Sequence, residues 1–160
     1  MTTTQATKLE IPSSLITQLS ELYETDETAW LDTMSQLAAH GRIEDLDCPH
    51  LSEYLADMAR RDRREVASRF VVLLAHMLKW QYQQDRRSVS WQTTILEQRF
   101  ELRGLVESGT LFNHALSILP KTYTDAIKLA AAETGLSRES FPAGCPWTLD
   151  DVLADADDAE

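Results

Sequence analysis

The residue with the clearest potential for chemistry is a histidine inside an apolar segment. His76 lies within residues 70–83, where apolar side chains occupy nearly every face of the predicted helix. An unpaired buried polar group costs about 1–3 kcal/mol, so His76 needs a hydrogen-bond partner. We favour a structural histidine bonded to a carboxylate, a tyrosine or a backbone carbonyl of a neighbouring helix. The alternative is a ligand-binding histidine or a general base.

Aromatic and basic side chains surround the polar link, residues 84–90, that follows this segment. Core packing explains the tryptophans on either side of the link. The alternative is a small pocket bordered by aromatic rings and guanidinium groups, which would suit an anionic or planar ligand. Spacing alone does not show whether these side chains converge. The candidate binding residues are His76, Lys79, Trp80, Tyr82, Arg86, Arg87 and Trp91.

Charged side chains are distributed unevenly along the chain. Residues 1–59 carry 2 basic and 11 acidic side chains, residues 60–103 carry 10 and 5, and residues 104–160 carry 3 and 10. In the interpretation that we favour, the basic middle pairs with acidic helices of the same molecule, and each exposed pair contributes roughly 0–1 kcal/mol. In the alternative, the middle segment binds phosphate or nucleic acid. The net charge of −11 disfavours nucleic acid, because nucleic-acid binders usually carry a basic total. The arginines of this alternative are Arg60, Arg61, Arg63, Arg64, Arg86 and Arg87.

No residue pattern indicates a metal, a cofactor or a catalytic nucleophile. Asp47, Cys48 and His50 offer three metal ligands within four residues, but no second cluster has ligand spacing. Cys48 lacks a surrounding nucleophile motif. Glycine-rich phosphate loops and the Glu-x-x-His elements of helical di-iron proteins are both absent from the sequence. The sequence therefore predicts no cofactor, and it favours a protein without catalytic activity of its own.

Helices are the only elements that the apolar pattern predicts. Apolar residues recur with a helical period, and no segment alternates as a strand would. A chain of 160 residues can bury a sufficient core without a metal or a disulfide. We expect an all-α, single-domain bundle of about five to seven helices over residues 12–153. Residues 1–11 are predicted to be a flexible N-terminus, and residues 154–160 an acidic tail.

Capping and turn residues predict the ends of the first helices. Thr25 or Asp26 can cap the second helix, and Gly41 can follow its end. Asp47 is the expected cap of the third helix. The apolar pattern lapses at residues 59–64, and we prefer a turn there because one straight helix would be unusually long.

The later helix ends are predicted in the same way. Ser90 is the expected cap of the next helix, and Gly109 is expected to stop it. A short helix then closes at Pro120, which can begin a further helix that ends at Gly135. Residues 148–151 resemble a capping box that opens a short terminal helix.

Several stretches of the chain are specific in combination. They are LLAHMLKWQYQ at residues 73–83, FPAGCPWTL at residues 141–149, Trp30, and residues 22–26, 41–47, 86–91, 97–99 and 130–136. Together they resemble a bacterial family catalogued as domain of unknown function 29. The resemblance covers about residues 22–153 and implies an all-helical bundle, with no assigned activity, cofactor or catalytic residue. Where the family usually has a glycine–serine break, this chain has Ala59 and Arg61, which weakens the predicted turn.

Composition also bears on location and partners. The longest apolar run, residues 70–75, is far shorter than the roughly 20 residues that a membrane span needs. No secretory signal is visible, and we expect Cys48 and Cys145 to be reduced thiols. We therefore predict a cytoplasmic interaction or regulatory module, compatible with a homodimer. Phosphate binding through the arginines and a ligand pocket or enzyme near His76 stay open as alternatives.

Overall fold

The computed structural model describes residues 13–154, except for the side chains of Ser13, Ser14 and Ile16. Within this range the chain forms six α-helices, three short 3₁₀ helices and no strand, so the predicted all-α class is confirmed. The predicted N-terminal segment, and the predicted tail apart from Ala154, lie outside the described residues. The helices are α1 Ser13–Thr25, α2 Glu27–Ala39, α3 Cys48–Tyr82, α4 Val89–Val106, α5 Gly109–Thr134 and α6 Leu149–Leu153, and the 3₁₀ helices are Ile43–Asp45, Gln84–Arg86 and Arg138–Ser140.

The described residues divide into two compact units, one that ends at Met58 and one that begins at Ala59, and the division falls inside α3. In the first unit α1 packs against α2. The buried apolar side chains of this unit are Leu19, Trp30 and Met34, and Trp30 has no exposed surface. The predicted single domain over residues 12–153 stays a prediction.

The second unit has its core along the apolar part of α3. Phe70, Leu73 and Leu78 are completely buried there. They belong to one cluster with Leu102 of α4 and Tyr123 of α5, and with residues of α6. The sequence predicted a helix surrounded by other helices at residues 70–83, and the burial of this stretch confirms it.

Residues 59–64 form part of one continuous helix, so the preferred turn is wrong. The helix α3 runs for 35 residues without interruption. The segment has neither glycine nor proline, and alanine and arginine are good helix formers. Arg63 and Arg64 also donate side-chain hydrogen bonds to the carbonyls of Ala59 and Arg60, one turn earlier. The lapse in the apolar pattern therefore marks an exposed stretch of helix and not a helix end.

Three further predicted helix boundaries are wrong. Ser88, and not Ser90, caps α4, because the Ser88 hydroxyl accepts a hydrogen bond from the backbone N–H of Trp91. Gly109 does not stop α4 but begins α5. Pro120 lies inside α5 and does not divide it. The missing proline N–H removes one helical hydrogen bond, and the packing of buried residues on both sides outweighs that loss.

Four other predicted helix boundaries are confirmed. The Asp26 side chain accepts a hydrogen bond at the start of α2. Gly41 and Gly135 follow α2 and α5 with φ of +67° and +73°, a left-handed conformation that glycine adopts without strain. Thr148 and Asp151 form the reciprocal bonds of a capping box before α6.

Candidate functional site

A partly open cavity of about 330 Å³ lies between α3 and α4 in the second unit, and we call it the α3–α4 cavity. Most of its lining is apolar. Two glutamines and two arginines supply the polar part of the lining. The apolar residues are Met77, Trp80, Ile95, Leu96 and Trp147, and the polar residues are Gln81, Gln92, Arg87 and Arg99.

Arg87 is held in place against an aromatic ring of this cavity. Its Nε donates a hydrogen bond to the backbone carbonyl of Trp80 at 2.8 Å. Its guanidinium carbon lies 4.8 Å from the centroid of the Trp80 ring, within the range of a cation–π contact. The second arginine, Arg99, donates from Nε to the carbonyl of Val152 at 2.9 Å. Both guanidinium groups are therefore positioned before any ligand binds.

The lining of the α3–α4 cavity offers guanidinium and amide donors beside apolar surface. Among the described residues that line it there is no carboxylate, histidine or cysteine. The cavity therefore contains neither a group that would exchange a proton near neutral pH nor an activated nucleophile. A guanidinium can, however, form two parallel hydrogen bonds with a carboxylate.

A separate cluster of charged and aromatic side chains surrounds Lys79. This lysine is 4% exposed, and its ammonium donates a hydrogen bond to the carboxylate of Glu133 on α5. The ammonium also lies 3.2 Å from Nε2 of His76 and 4.8 Å from the centroid of the Trp91 ring. A carboxylate, an imidazole nitrogen and an aromatic face therefore compensate the buried charge.

His76 is a partner of this lysine. An ammonium only donates hydrogen bonds, so Nε2 of His76 must be the unprotonated nitrogen, and Nδ1 donates to the carbonyl of Val72 at 2.8 Å. Burial lowers the pKa of His76, and the Lys79 ammonium lowers it further. The expected carbonyl partner is present, but it belongs to the same helix and not to a neighbouring one. This geometry favours a neutral, structural histidine.

The seven candidate binding residues make different contacts in the second unit. His76, Lys79 and Trp91 belong to the Lys79 cluster, whereas Trp80 and Arg87 belong to the α3–α4 cavity. The Tyr82 ring packs edge-on against Phe141 at 5.6 Å between centroids. Arg86 is exposed in the 3₁₀ helix that precedes α4.

The candidate arginines are also separated. Arg63 and Arg64 line a cleft between α3 and α5, and Arg87 lines the α3–α4 cavity. Arg60 and Arg61 are exposed on α3 and line neither of these openings. The cleft therefore contains two arginines of residues 60–64, and the cavity contains one of residues 86–87.

The first unit contains a buried carboxylate whose contact with Trp30 was not predicted from the sequence. Asp47 is 5% exposed, and its Oδ2 accepts a hydrogen bond from the indole N–H of Trp30 at 3.2 Å. Nδ1 of His50 lies 2.8 Å from the same oxygen, and the Tyr23 ring lies 4.4 Å from the His50 ring. Asp47 directly precedes α3, where it was expected as the cap, and its side chain takes part in this cluster. The available signal was Trp30, whose indole N–H needs an acceptor when buried.

Other residues of the second unit were also missed. Arg99 and Trp147 line the α3–α4 cavity, and Glu133 pairs with Lys79. Each comes from an element that is distant in sequence from residues 70–83. The sequence contained no signal that would pair them with this helix.

The comparison with protein families agrees with the resemblance in the sequence. The model of the family described as domain of unknown function DUF29 matches residues 22–156. The chain belongs to this family. No curated protein and no solved structure matches the DUF29 chain. The family description assigns no activity to DUF29 proteins. Within residues 13–154 of this DUF29 chain, none of the helices has the length and apolar character needed to cross a bilayer.

Proposed function

We propose that the chain is a helical binding module without catalysis, which holds a small anionic ligand in the α3–α4 cavity. The observation that carries this proposal is the position of the Arg87 guanidinium, fixed against Trp80 at a mostly apolar cavity. A volume of about 330 Å³ lies within the range of small-molecule pockets.

The lining defines the class of ligand. The guanidinium of Arg87 suits a carboxylate, because its planar donors match two carboxylate oxygens. The indoles of Trp80 and Trp147 offer contact area for a planar or apolar body. The ligand of this proposal is therefore an aromatic or other apolar carboxylic acid.

Matched probes and variants test the proposal directly. We expect 2-naphthoate to bind with one site per chain, measured by calorimetry, and the neutral alcohol 2-naphthalenemethanol to bind more weakly. Arg87→Gln should weaken 2-naphthoate about 10- to 100-fold, because a hydrogen bond to a charged group contributes about 1.5–3 kcal/mol. Arg86→Gln is the control, since Arg86 is the adjacent arginine and does not line the cavity.

Two results would contradict the proposal. One is equal affinity for the acid and the alcohol, which would show that charge is not recognised. The other is an equal effect of Arg87→Gln and Arg86→Gln, which would indicate a general loss of positive charge. The helical circular dichroism of both variants should match that of the unchanged protein, since Arg87 is exposed.

A second candidate function is self-assembly through α4, carried by its exposed apolar residues. Val89 is 79% exposed, Leu96 44% and Phe100 76%. Spacings of seven and eleven residues place all three on one face of the helix. We propose that a second copy covers this face in an antiparallel arrangement. Arg86 precedes α4 and Glu107 follows it, so Arg86 of each copy would then lie opposite Glu107 of the other copy.

Sedimentation over a concentration series tests this assembly. We expect the mass to approach that of a dimer as concentration rises, and Phe100→Ser to shift the equilibrium towards the monomer. The burial of a phenylalanine contributes about 1.5–3 kcal/mol, so the dissociation constant should rise about tenfold or more. Leu116→Ser is the control, since Leu116 is 48% exposed on α5. A monomer at all soluble concentrations would contradict the proposal.

We also propose a cytoplasmic location. Both cysteines of the described residues are free thiols, Cys48 exposed and Cys145 half-buried, as expected in a reducing compartment. Fractionation of cells that produce the tagged chain would test this, and recovery in an oxidising compartment would contradict it.

A further inference from the structure

A second opening in the same unit has a different chemistry from the α3–α4 cavity. It is an open cleft of about 340 Å³ between α3 and α5, and we call it the α3–α5 cleft. Arg63 and Arg64 line it from α3, and Lys121 and His114 line it from α5. It shares no lining residue with the α3–α4 cavity. The two openings can therefore be tested separately.

The charge of this lining is positive. Arg63, Arg64 and Lys121 contribute three cationic groups. The one carboxylate among the described lining residues is Asp125, and Lys128 donates a hydrogen bond to it at 2.7 Å. That bond and the charge of Lys128 lower the pKa of Asp125, so the carboxylate is ionised and is partly compensated by Lys128. The lining therefore carries a local positive excess of two charges in an acidic chain.

The two arginines are held by their own helix. Arg63 donates from Nη1 to the carbonyl of Ala59 at 3.2 Å, and Arg64 donates from Nε to the carbonyl of Arg60 at 3.4 Å. A guanidinium has five N–H donors, so each of these bonds engages only one of them. Holding the side chains in this way reduces the rotamer entropy that is lost when a ligand binds.

We propose that the α3–α5 cleft binds a phosphate monoester group. The local excess of two positive charges matches a dianion. The guanidinium and ammonium groups supply donors in several directions, which suits a tetrahedral oxyanion. The hydroxyl of Ser68 lies in the same lining and can donate to a further oxygen.

The charge of the whole chain favours a small phosphate compound over a nucleic acid. A net charge of −11 repels a long polyanion, which extends well beyond the cleft. A single phosphate group is close to the cleft cations, whereas charges farther away than about 10 Å are largely screened at 0.1 M salt. The local charge therefore decides the binding of a small dianion.

Calorimetric titration at low salt tests the inference. The probes are inorganic phosphate, phenyl phosphate and a ten-nucleotide single-stranded DNA, with sodium chloride at matched ionic strength as the blank. We expect phenyl phosphate to bind at one site per chain. Binding of inorganic phosphate with equal affinity would also support the site and would identify the free ion as a sufficient ligand.

Matched variants test whether phenyl phosphate binds in the α3–α5 cleft. Arg64→Gln and Lys121→Gln should each weaken phenyl phosphate about tenfold or more, since each removes a charged donor. Arg61→Gln is the control, because Arg61 is exposed on the same helix and does not line the cleft. Binding of 2-naphthoate should be unchanged in all three variants, which separates this site from the α3–α4 cavity.

Three results would overturn the inference. The first is no phosphate binding above the chloride blank. The second is an equal loss of affinity in Arg61→Gln and Arg64→Gln, which would mean that only the total charge matters. The third is tighter binding of the oligonucleotide than of phenyl phosphate, which would indicate an extended nucleic-acid surface. Arg64 and Lys121 are both exposed, so the fold of these variants should be intact, with an unchanged melting temperature as the check.

Discussion

Lys79 of α3 and Glu133 of α5 form an ion pair whose two members are buried to very different extents. The Lys79 side chain is 5% exposed, and that of Glu133 is 40% exposed. The two residues are 54 positions apart in the chain, so the pair connects two helices of the second unit. Solvent can stabilise the carboxylate without its partner, but it can hardly reach the ammonium.

The first prediction follows from the different burial of Lys79 and Glu133. Glu133→Gln should lower the free energy of unfolding by about 1–3 kcal/mol, because it leaves a buried ammonium without its carboxylate. Lys79→Met should cost less, since methionine has a similar shape and leaves Glu133 accessible to water. Urea unfolding followed by circular dichroism measures both values. A larger loss in Lys79→Met would contradict the prediction.

The second prediction concerns His76 and pH. His76→Leu should lower the melting temperature at neutral pH, because Lys79 and the Val72 carbonyl each lose a hydrogen-bond partner. Burial lowers the pKa of His76 below 6.5, so the folded state prefers the neutral ring. The resulting stabilisation is complete above pH 6.5 and is lost as the pH falls through the lowered pKa of the folded state.

Comparison of the unchanged protein with His76→Leu isolates the effect of His76 protonation on stability. The groups around the ring are Lys79 and Glu133, and both are retained in His76→Leu. The loss of stability between about pH 7.5 and pH 5.5 should therefore be smaller in the variant than in the unchanged protein. Parallel curves of unfolding free energy against pH would show that His76 does not titrate in this way.

The third prediction concerns the buried carboxylate of the first unit. Asp47→Ala should lower the free energy of unfolding by about 2–3 kcal/mol, because it leaves the indole N–H of the fully buried Trp30 without an acceptor. Asp32→Ala is the matched control, since Asp32 is exposed on α2. Urea unfolding of both variants provides the measurement. A similar cost for both would argue against the importance of the Asp47 hydrogen bonds.

The fourth prediction concerns a phenol that bonds to the backbone. The Tyr123 hydroxyl donates to the carbonyl of Pro142 at 2.8 Å, and burial raises the pKa of Tyr123 to about 12. Its stabilising contribution is complete below pH 10.0 and is lost as the pH rises through about 12. Tyr123→Phe should cost about 1 kcal/mol near neutral pH.

Absorbance of the phenolate during an alkaline titration checks whether the pKa of about 12 belongs to Tyr123. The step near pH 12 should disappear in Tyr123→Phe and persist in Tyr82→Phe. Loss of the step in both variants would indicate that it reports unfolding and not the titration of one residue.

Helix type, burial and several caps were predictable because they depend on short stretches of chain. The apolar faces of residues 70–83 predicted a surrounded helix, and Gly41 and Gly135 predicted helix ends through their freedom at positive φ. The helix boundaries predicted at Ser90 and Pro120 were wrong for a local reason as well. Two serines compete for the same cap, and a proline can begin a helix or be tolerated inside one.

The types of the site residues were predictable from the sequence, but most of their contacts with one another were not. Trp80 and Arg87 are close in sequence, and the structure brings them together. Trp147 reaches the same cavity from the far end of the chain, and Glu133 meets Lys79 from another helix.

The sequence by itself determined the all-helical class, the buried stretch of α3 and the uneven charge, because backbone hydrogen bonds and apolar periodicity act within a few residues. Only the tertiary structure decided which charged groups meet. It placed Arg63 and Arg64 at the α3–α5 cleft and Arg87 at the α3–α4 cavity, and it placed His76 beside Lys79. The reason is that the packing of whole helices sets these distances, and no short stretch of sequence specifies it.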